Sequence, residues 1–157
     1  MTRPNDLSAT EARKLIGNKQ LSPLELTKSC IDQVERYNPS INAVVAINHE
    51  DVLKKAKKAE DDVMAGKELG LLHGLPVGIK DLNPVKDLRS TSGSKLFENR
   101  IPDYDDSVVA DIRAEGGIVF CKTNTPEFGA GANTKNKVYG VTCNPFDLTK
   151  TPAGSSG

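Results

Sequence analysis

The strongest constraint on the fold lies between Leu71 and Asn124. Leu71 to Asp81 reads LLHGLPVGIKD, an apolar run broken by Gly and Pro that ends in charge. Within it, Pro76-Val77-Gly78-Ile79 has the character of a buried strand. After a polar loop to about Pro102, Asp106 or Ser107 caps a helix through Val109 and Ile112, and Gly116-Gly117 stops it. Ile118 to Cys121 is a second short apolar strand, closing at Lys122-Thr123-Asn124. Strand, helix and strand in that order predict an α/β sheet.

Residues 1–66 read differently and predict a mainly helical region ahead of an α/β core over 67–157, within one domain. Ser8-Ala9-Thr10-Glu11 fits a capping box, with a short helix through Leu15 and Ile16. Ser22-Pro23-Leu24-Glu25 repeats the start signal with Pro at the first helical position. Leu24, Ile31 and Val34, with Cys30 beside them, form an apolar stripe, and Asn38-Pro39-Ser40 is expected to end that helix. Ile41 to Ile47 reads as a buried strand. From Glu50 to Ala65, Val52, Ala56, Ala59 and Val63 face one way, while a lysine-rich face meets solvent.

Composition excludes several functions. Lys plus Arg and Asp plus Glu each number 21, so the net charge is zero. That balance argues against nucleic acid or an anionic membrane as main partner. Aromatic scarcity, with no Trp, argues against base stacking. No apolar run is long enough for a bilayer-spanning helix. Met1-Thr2-Arg3-Pro4-Asn5-Asp6 has no hydrophobic stretch behind its charge, so a signal peptide is not expected and a cytoplasmic setting is. Cys30, Cys121 and Cys143 lack CxxC spacing or His neighbours, which predicts reduced, mostly buried thiols and no metal site.

Two stretches carry chemistry. Lys80 ends the first strand, where burial disfavours an ammonium and suits a lysine to act as a base. The plainer reading is a lysine opening an exposed loop. Asp81 follows it, but neighbours on a strand point to opposite faces, so Asp81 is read as a structural hydrogen-bonding group. The second stretch is Pro152-Ala153-Gly154-Ser155-Ser156-Gly157. Such a loop permits positive φ and exposes hydroxyls, so it could hold a nucleophile, cradle a phosphate or act as a flexible linker. It has neither the GxxxxGK[ST] of a P-loop nor the G-x-S-x-G of a nucleophile elbow.

Taken together, the blocks resemble one family. Leu72-His73-Gly74-Leu75-Pro76-Val77-Gly78-Ile79-Lys80-Asp81 resembles the lysine motif of the amidase signature family. Cys121-Lys122-Thr123-Asn124-Thr125-Pro126-Glu127-Phe128 resembles its K-T-N-x-x-E-F segment. Gly140-Val141-Thr142-Cys143-Asn144-Pro145-Phe146-Asp147 resembles its G-x-x-x-N-P block, and Thr151 to Gly157 the opening of its Gly/Ser-rich signature. All four stand in the family's order.

The resemblance implies part of an amidase fold, with helices flanking a mixed sheet that is incomplete in this chain. It implies a Ser–cis-Ser–Lys triad that cleaves linear amides through an acyl-enzyme, without cofactor or metal. Lys80 falls at the general base and Ser155, after a cis peptide bond, at the bridging serine. Gly154 and Ser156 are supporting positions, and Thr123, Asn124 and Phe128 fall at a substrate pocket. His73 and His49 are read as ordinary core and surface residues, and Glu127 as part of a first helical turn.

Two departures matter. Ala153 stands where the family usually has Gly, which hurts only if positive φ or close packing is needed there. The family's nucleophilic serine and oxyanion glycines lie downstream of the last motif and are absent from this chain. The implied partner is a small-molecule amide. Thr125-Pro126 before Glu127 and the lack of a basic patch favour a plain amidase over the A-type component of a tRNA-dependent amidotransferase. The alternatives are a non-catalytic fragment that self-associates or needs a complementing C-terminal fragment, and a phosphate-binding module on the terminal loop.

Overall fold

The computed structural model describes residues 3–155. Among them, four α-helices and five strands follow in the order α1 (Ala9–Gly17), α2 (Pro23–Ile41), β1 (Val44–Ala46), α3 (His49–Met64), β2 (Pro76–Lys80), α4 (Ser107–Ala114), β3 (Ile118–Thr123), β4 (Lys135–Asn136) and β5 (Gly140–Val141). Short 3-10 turns occupy Pro4–Asp6, Lys95–Phe97 and Glu127–Gly129.

The helix starts are capped as the sequence predicts. Ser8 accepts from the Glu11 amide, and Glu11 in turn accepts from the Ser8 amide, completing the capping box. Ser22 accepts from the Leu24 and Glu25 amides with Pro23 at the first position. Asp106, rather than Ser107, caps α4 by accepting from the Val108 amide.

Two expectations fail at the end of α2. Pro39 does not stop the helix, which runs on to Ile41 and ends at Asn42 with φ 51°. A proline within the last turn removes one ladder bond, and the Asn42 amide still reaches the Asn38 carbonyl at 2.8 Å. The Asn38 side chain then ties the exit, accepting from the Ala43 and Val44 amides and donating to the Val44 carbonyl. The strand expected over 41–47 therefore shrinks to β1, Val44–Ala46, and is only half-buried.

The main sheet is mixed, in the order β1-β3-β2. β2 lies parallel to β3, joined by the α4 crossover, and β1 pairs antiparallel with β3 on the other side. β3 is the central strand, and Ile118 to Lys122 are all buried. β2 is less buried than its apolar sequence predicts: Ile79 is buried, while Gly78 is exposed. Its position at the edge of this sheet is the reason. Register skips one residue of β3, with Val77 opposite Val119 but Gly78 opposite Cys121. Phe120 is the extra residue of this bulge. Ile118, Phe120 and Cys121 consequently share a core with Ile31 of α2 and Val52, Ala56 and Ala59 of α3. Val119 packs on the other side with Ile79, Val85 and Val109.

A third cluster joins α1 to the rest through Ala12, Ile16, Leu21, Leu26, Val63 and Leu75. Ile16 has no exposure at all. Ile16→Ala is therefore expected to lower the unfolding free energy by about 2–5 kcal/mol, measured by denaturant titration; a loss below about 1 kcal/mol would contradict this packing.

Candidate active site

β2 ends at Lys80, in register with Thr123 of β3. The bond from the Asp81 amide to the Thr123 carbonyl, at 2.9 Å, extends the pairing one residue further. Alternation sends Lys80 and Asp81 to opposite sides. Gly78 shares the Lys80 side, and a Cβ there would sit 3.2 Å from Thr123 Cγ2 and 3.6 Å from Cys121 Sγ. Gly78 thus leaves room for the β3 side chains beside Lys80.

On the far side Asp81 is fully buried. Its carboxylate accepts from the Thr91 amide at 3.0 and 3.1 Å and from Thr91 Oγ1 at 2.6 Å. Lys122 Nζ, also fully buried, lies 3.5 Å from Asp81 Oδ1 and donates to the Asn83 carbonyl. Burial is the largest influence on Lys122 and holds its ammonium down to about 8 from 10.5, with Asp81 opposing. This pair clamps the chain just after Lys80. The sequence marks Asp81 as a structural group, whereas the role of Lys122 emerges from its burial beside Asp81. The available signal was a lysine at the end of an otherwise apolar strand.

Lys80 Nζ donates to Ser155 Oγ at 2.7 Å, joining residues 75 positions apart, and both side chains are half-buried. The peptide between Gly154 and Ser155 is cis. Ala153 has φ 74°, the positive value at which its methyl is unfavourable. A Cβ on Gly154 would lie 2.8 Å from both Gly131 O and Ala132 C, so glycine is required by close backbone approach. The Ala153 carbonyl accepts two bonds of 3.0 Å, from the amide and the hydroxyl of Thr134. Ser156 lies outside the described residues.

The three pocket candidates separate. Thr123 is half-buried beside Lys80. Asn124 is fully buried and spent on internal bonds. Its Nδ2 donates to Thr142 Oγ1 at 2.9 Å, and its Oδ1 accepts from the Thr125 amide and from Asn136 Nδ2. Phe128 is 53% exposed and meets Phe97 edge-on, with ring centroids 6.3 Å apart. Its φ of 53° is accompanied by a bond from its amide to the Ser92 carbonyl. Glu127 opens a 3-10 turn rather than an α-helix and accepts from Ser94 Oγ at 2.7 Å. His73 is buried with Nε2 3.0 Å from the Ala59 carbonyl, and His49 is an exposed first residue of α3.

Among the described residues no cluster of three or more His, Cys, Asp or Glu could hold a metal ion. The three cysteines are unpaired, and burial raises the Cys121 thiol to about 12. No helix among the described residues is long and apolar enough to cross a membrane. A cavity of about 360 Å³ opens between Asn48, Asp51, the 85–88 turn and Arg113, and neither Lys80 nor Ser155 lines it.

Comparison with known proteins gives a consistent picture. Residues 25–157 match the Amidase family. Among curated proteins, the A component of the glutamyl-tRNA(Gln) amidotransferase of Clostridium botulinum strain Alaska E43 is 38% identical over 149 residues. That alignment covers 95% of this chain and 31% of the relative. The protein of the same name from Rhodopirellula baltica is 41% identical over 150 residues, covering 96% and 30%. Among solved structures, a bacterial aryl acylamidase of the amidase signature enzymes superposes with a TM-score of 0.88 at 33% identity, over 96% of this chain and 31% of the other. A fatty acid amide hydrolase gives 0.88 at 28% identity, over 98% and 27%. The chain thus spans under a third of the length of these curated relatives.

Two outcomes follow from the geometry. Ala153→Gly removes a methyl from a positive-φ position and is expected to raise stability by about 1 kcal/mol in thermal unfolding; a loss of stability would contradict the left-handed assignment. Lys122 binds its proton less tightly folded than unfolded, so the unfolded state carries more protons between about pH 8 and 10.5. The unfolding free energy of wild type relative to Lys122→Met should therefore rise with pH across that window, on top of the opposite trend that the raised Cys121 thiol gives to both proteins. A wild-type profile indistinguishable from that of the variant would show that Lys122 is not desolvated.

Proposed function

The chain belongs to the amidase family, and from that premise we propose that it supplies two groups of an amide-hydrolysing centre, Lys80 as general base and Ser155 as the serine that bridges it to a nucleophile. The observation that carries the reading is the 2.7 Å contact between Lys80 Nζ and Ser155 Oγ.

In this reading a nucleophilic serine attacks the carbonyl carbon of a linear amide. Its proton passes to Ser155 Oγ as Ser155 gives its own proton to the neutral Nζ of Lys80. Collapse of the tetrahedral intermediate breaks the carbon–nitrogen bond, and the departing amine takes the proton back along the same path. Water then attacks the acyl ester, its proton moving through Ser155 to Lys80; the ester carbon–oxygen bond breaks, the departing serine oxygen takes that proton back along the same path, and the carboxylic acid is released. Amide plus water becomes acid plus amine, with no metal, redox step or cofactor. Supporting this, the residue after Lys80 is anchored by a buried bond from the Thr91 amide to the Asp81 carboxylate, and the Ala153 carbonyl, two residues before Ser155, is held by Thr134. This reading assigns the serine nucleophile and its oxyanion donors to none of residues 1–157, a span that matches 31% of a curated relative.

A second reading is favoured by the names of the curated relatives. The same Lys80–Ser155 chemistry would then operate in the A-type component of a glutamyl-tRNA(Gln) amidotransferase, within a complex. In either reading the outer edge of β2, which among the described residues pairs only with β3, is offered to a complementing C-terminal segment or to a second copy. The unpaired cysteines suit a reducing, cytoplasmic setting.

The test compares hydrolysis of a simple amide by this chain alone and after adding the carboxy-terminal remainder of a relative. Activity is expected only in the complemented protein, and Lys80→Ala or Ser155→Ala should each lower its kcat/KM by about a thousandfold or more. Restored activity that neither substitution affects would contradict the assignment.

A further inference from the structure

We infer that Thr134 is a positioning residue for the Lys80–Ser155 pair, fixing through the Ala153 carbonyl where Ser155 presents its hydroxyl. The inference rests on the reading of Lys80 as base and Ser155 as bridge.

Thr134 is fully buried and directs both of its donors, amide and hydroxyl, to one oxygen, Ala153 O, each at 3.0 Å. Two donors occupy both lone pairs of that carbonyl, so the peptide plane ahead of Gly154 has its acceptor fully engaged. Such a constraint is needed there. Ala153 is exposed and lies at φ 74°, so neither burial nor backbone preference keeps it in place. The next residue, Gly154, rests against the 131–132 backbone with no room for a Cβ. The stretch from Gly131 to Thr134 is thus a template for the two residues that precede Ser155.

The same template reaches Lys80 by a second route. The Thr134 carbonyl accepts from the Thr142 amide at 3.0 Å. Thr142 Oγ1 donates to the Asn42 carbonyl at 2.7 Å and accepts from Asn124 Nδ2 at 2.9 Å. Asn124 follows Thr123, the register partner of Lys80. Both members of the pair are therefore held by one buried polar frame. A buried threonine alone would not imply this: among the described residues the hydroxyls of Thr27 and Thr125 are buried without a partner, whereas that of Thr134 is committed to Ala153.

The chain itself can be tested by following the Lys80 Nζ resonance in lysine-labelled protein, identified by its loss in Lys80→Arg. Ser155→Ala should shift that resonance by removing its hydrogen-bond partner. Thr134→Val should shift it in the same direction by at least half as much, and Thr134→Ser, which keeps the hydroxyl, should restore the wild-type position. A Thr134→Val signal at the wild-type position, with Ser155→Ala shifted, overturns the role of Thr134 and leaves the base–bridge reading standing. An unshifted Ser155→Ala signal overturns that reading and the inference with it. A second measurement needs no Thr134 variant. Because coupling is reciprocal, the Thr134 amide should exchange about tenfold faster in Ser155→Ala than in wild type, and unchanged exchange overturns the inference.

Discussion

The parallel register of β2 on β3 is the constraint from which the candidate site follows. It sets Lys80 opposite Thr123 and carries the Asp81 amide to the Thr123 carbonyl. A slip of one residue would exchange the two sides of β2. Lys80 would then point into the pocket that holds Asp81, and Asp81 would face Ser155. The register is secured on one side by Ile79 packing with Val109 and Val119, and on the other by the bulge at Phe120. Beyond the strand, the buried Asp81–Lys122 pair adds a polar lock. Satisfied by Thr91 and Asn83, that lock stabilises one arrangement; with one partner removed it would leave a buried charge, a costly state.

The second constraint is the seat of Ser155. Three features converge within the two residues before Ser155: a left-handed Ala153, an Ala153 carbonyl held twice by Thr134, and a Gly154 with no room for a side chain. Each alone could belong to an ordinary loop. Their combination fixes a hydroxyl against a lysine 75 residues away. The short β4–β5 hairpin serves the same end, since Thr134 precedes its first strand and Thr142 follows its second.

Much of this was legible in the sequence where the governing interactions are local. Caps at Ser8 and Ser22, the apolar face Val52-Ala56-Ala59-Val63 and the β2–α4–β3 order depend on spacing within a few residues. Pro39 misleads because a proline in a last turn removes only one bond, and the Asn38 side chain, not the proline, shapes the exit. β1 shrinks because strand length is set by pairing, and only Val44 and Ala46 find partners on β3. Asn124 looks like a pocket residue in a motif, yet its amide is spent on Thr142, Thr125 and Asn136, contacts up to 18 residues distant. The roles of Lys122 and Thr134 are non-local as well, and no spacing rule announces them.

The central claim is that Lys80 and Ser155 act as one hydrogen-bonded unit. A double-mutant cycle on kcat/KM with Lys80→Met and Ser155→Ala, in the chain completed by the carboxy-terminal remainder of a relative, tests it most directly. A unit predicts that the double variant is no slower than the slower single variant. Losses that multiply, so that the double variant falls by the product of the two, would show that the residues act independently and would contradict the account.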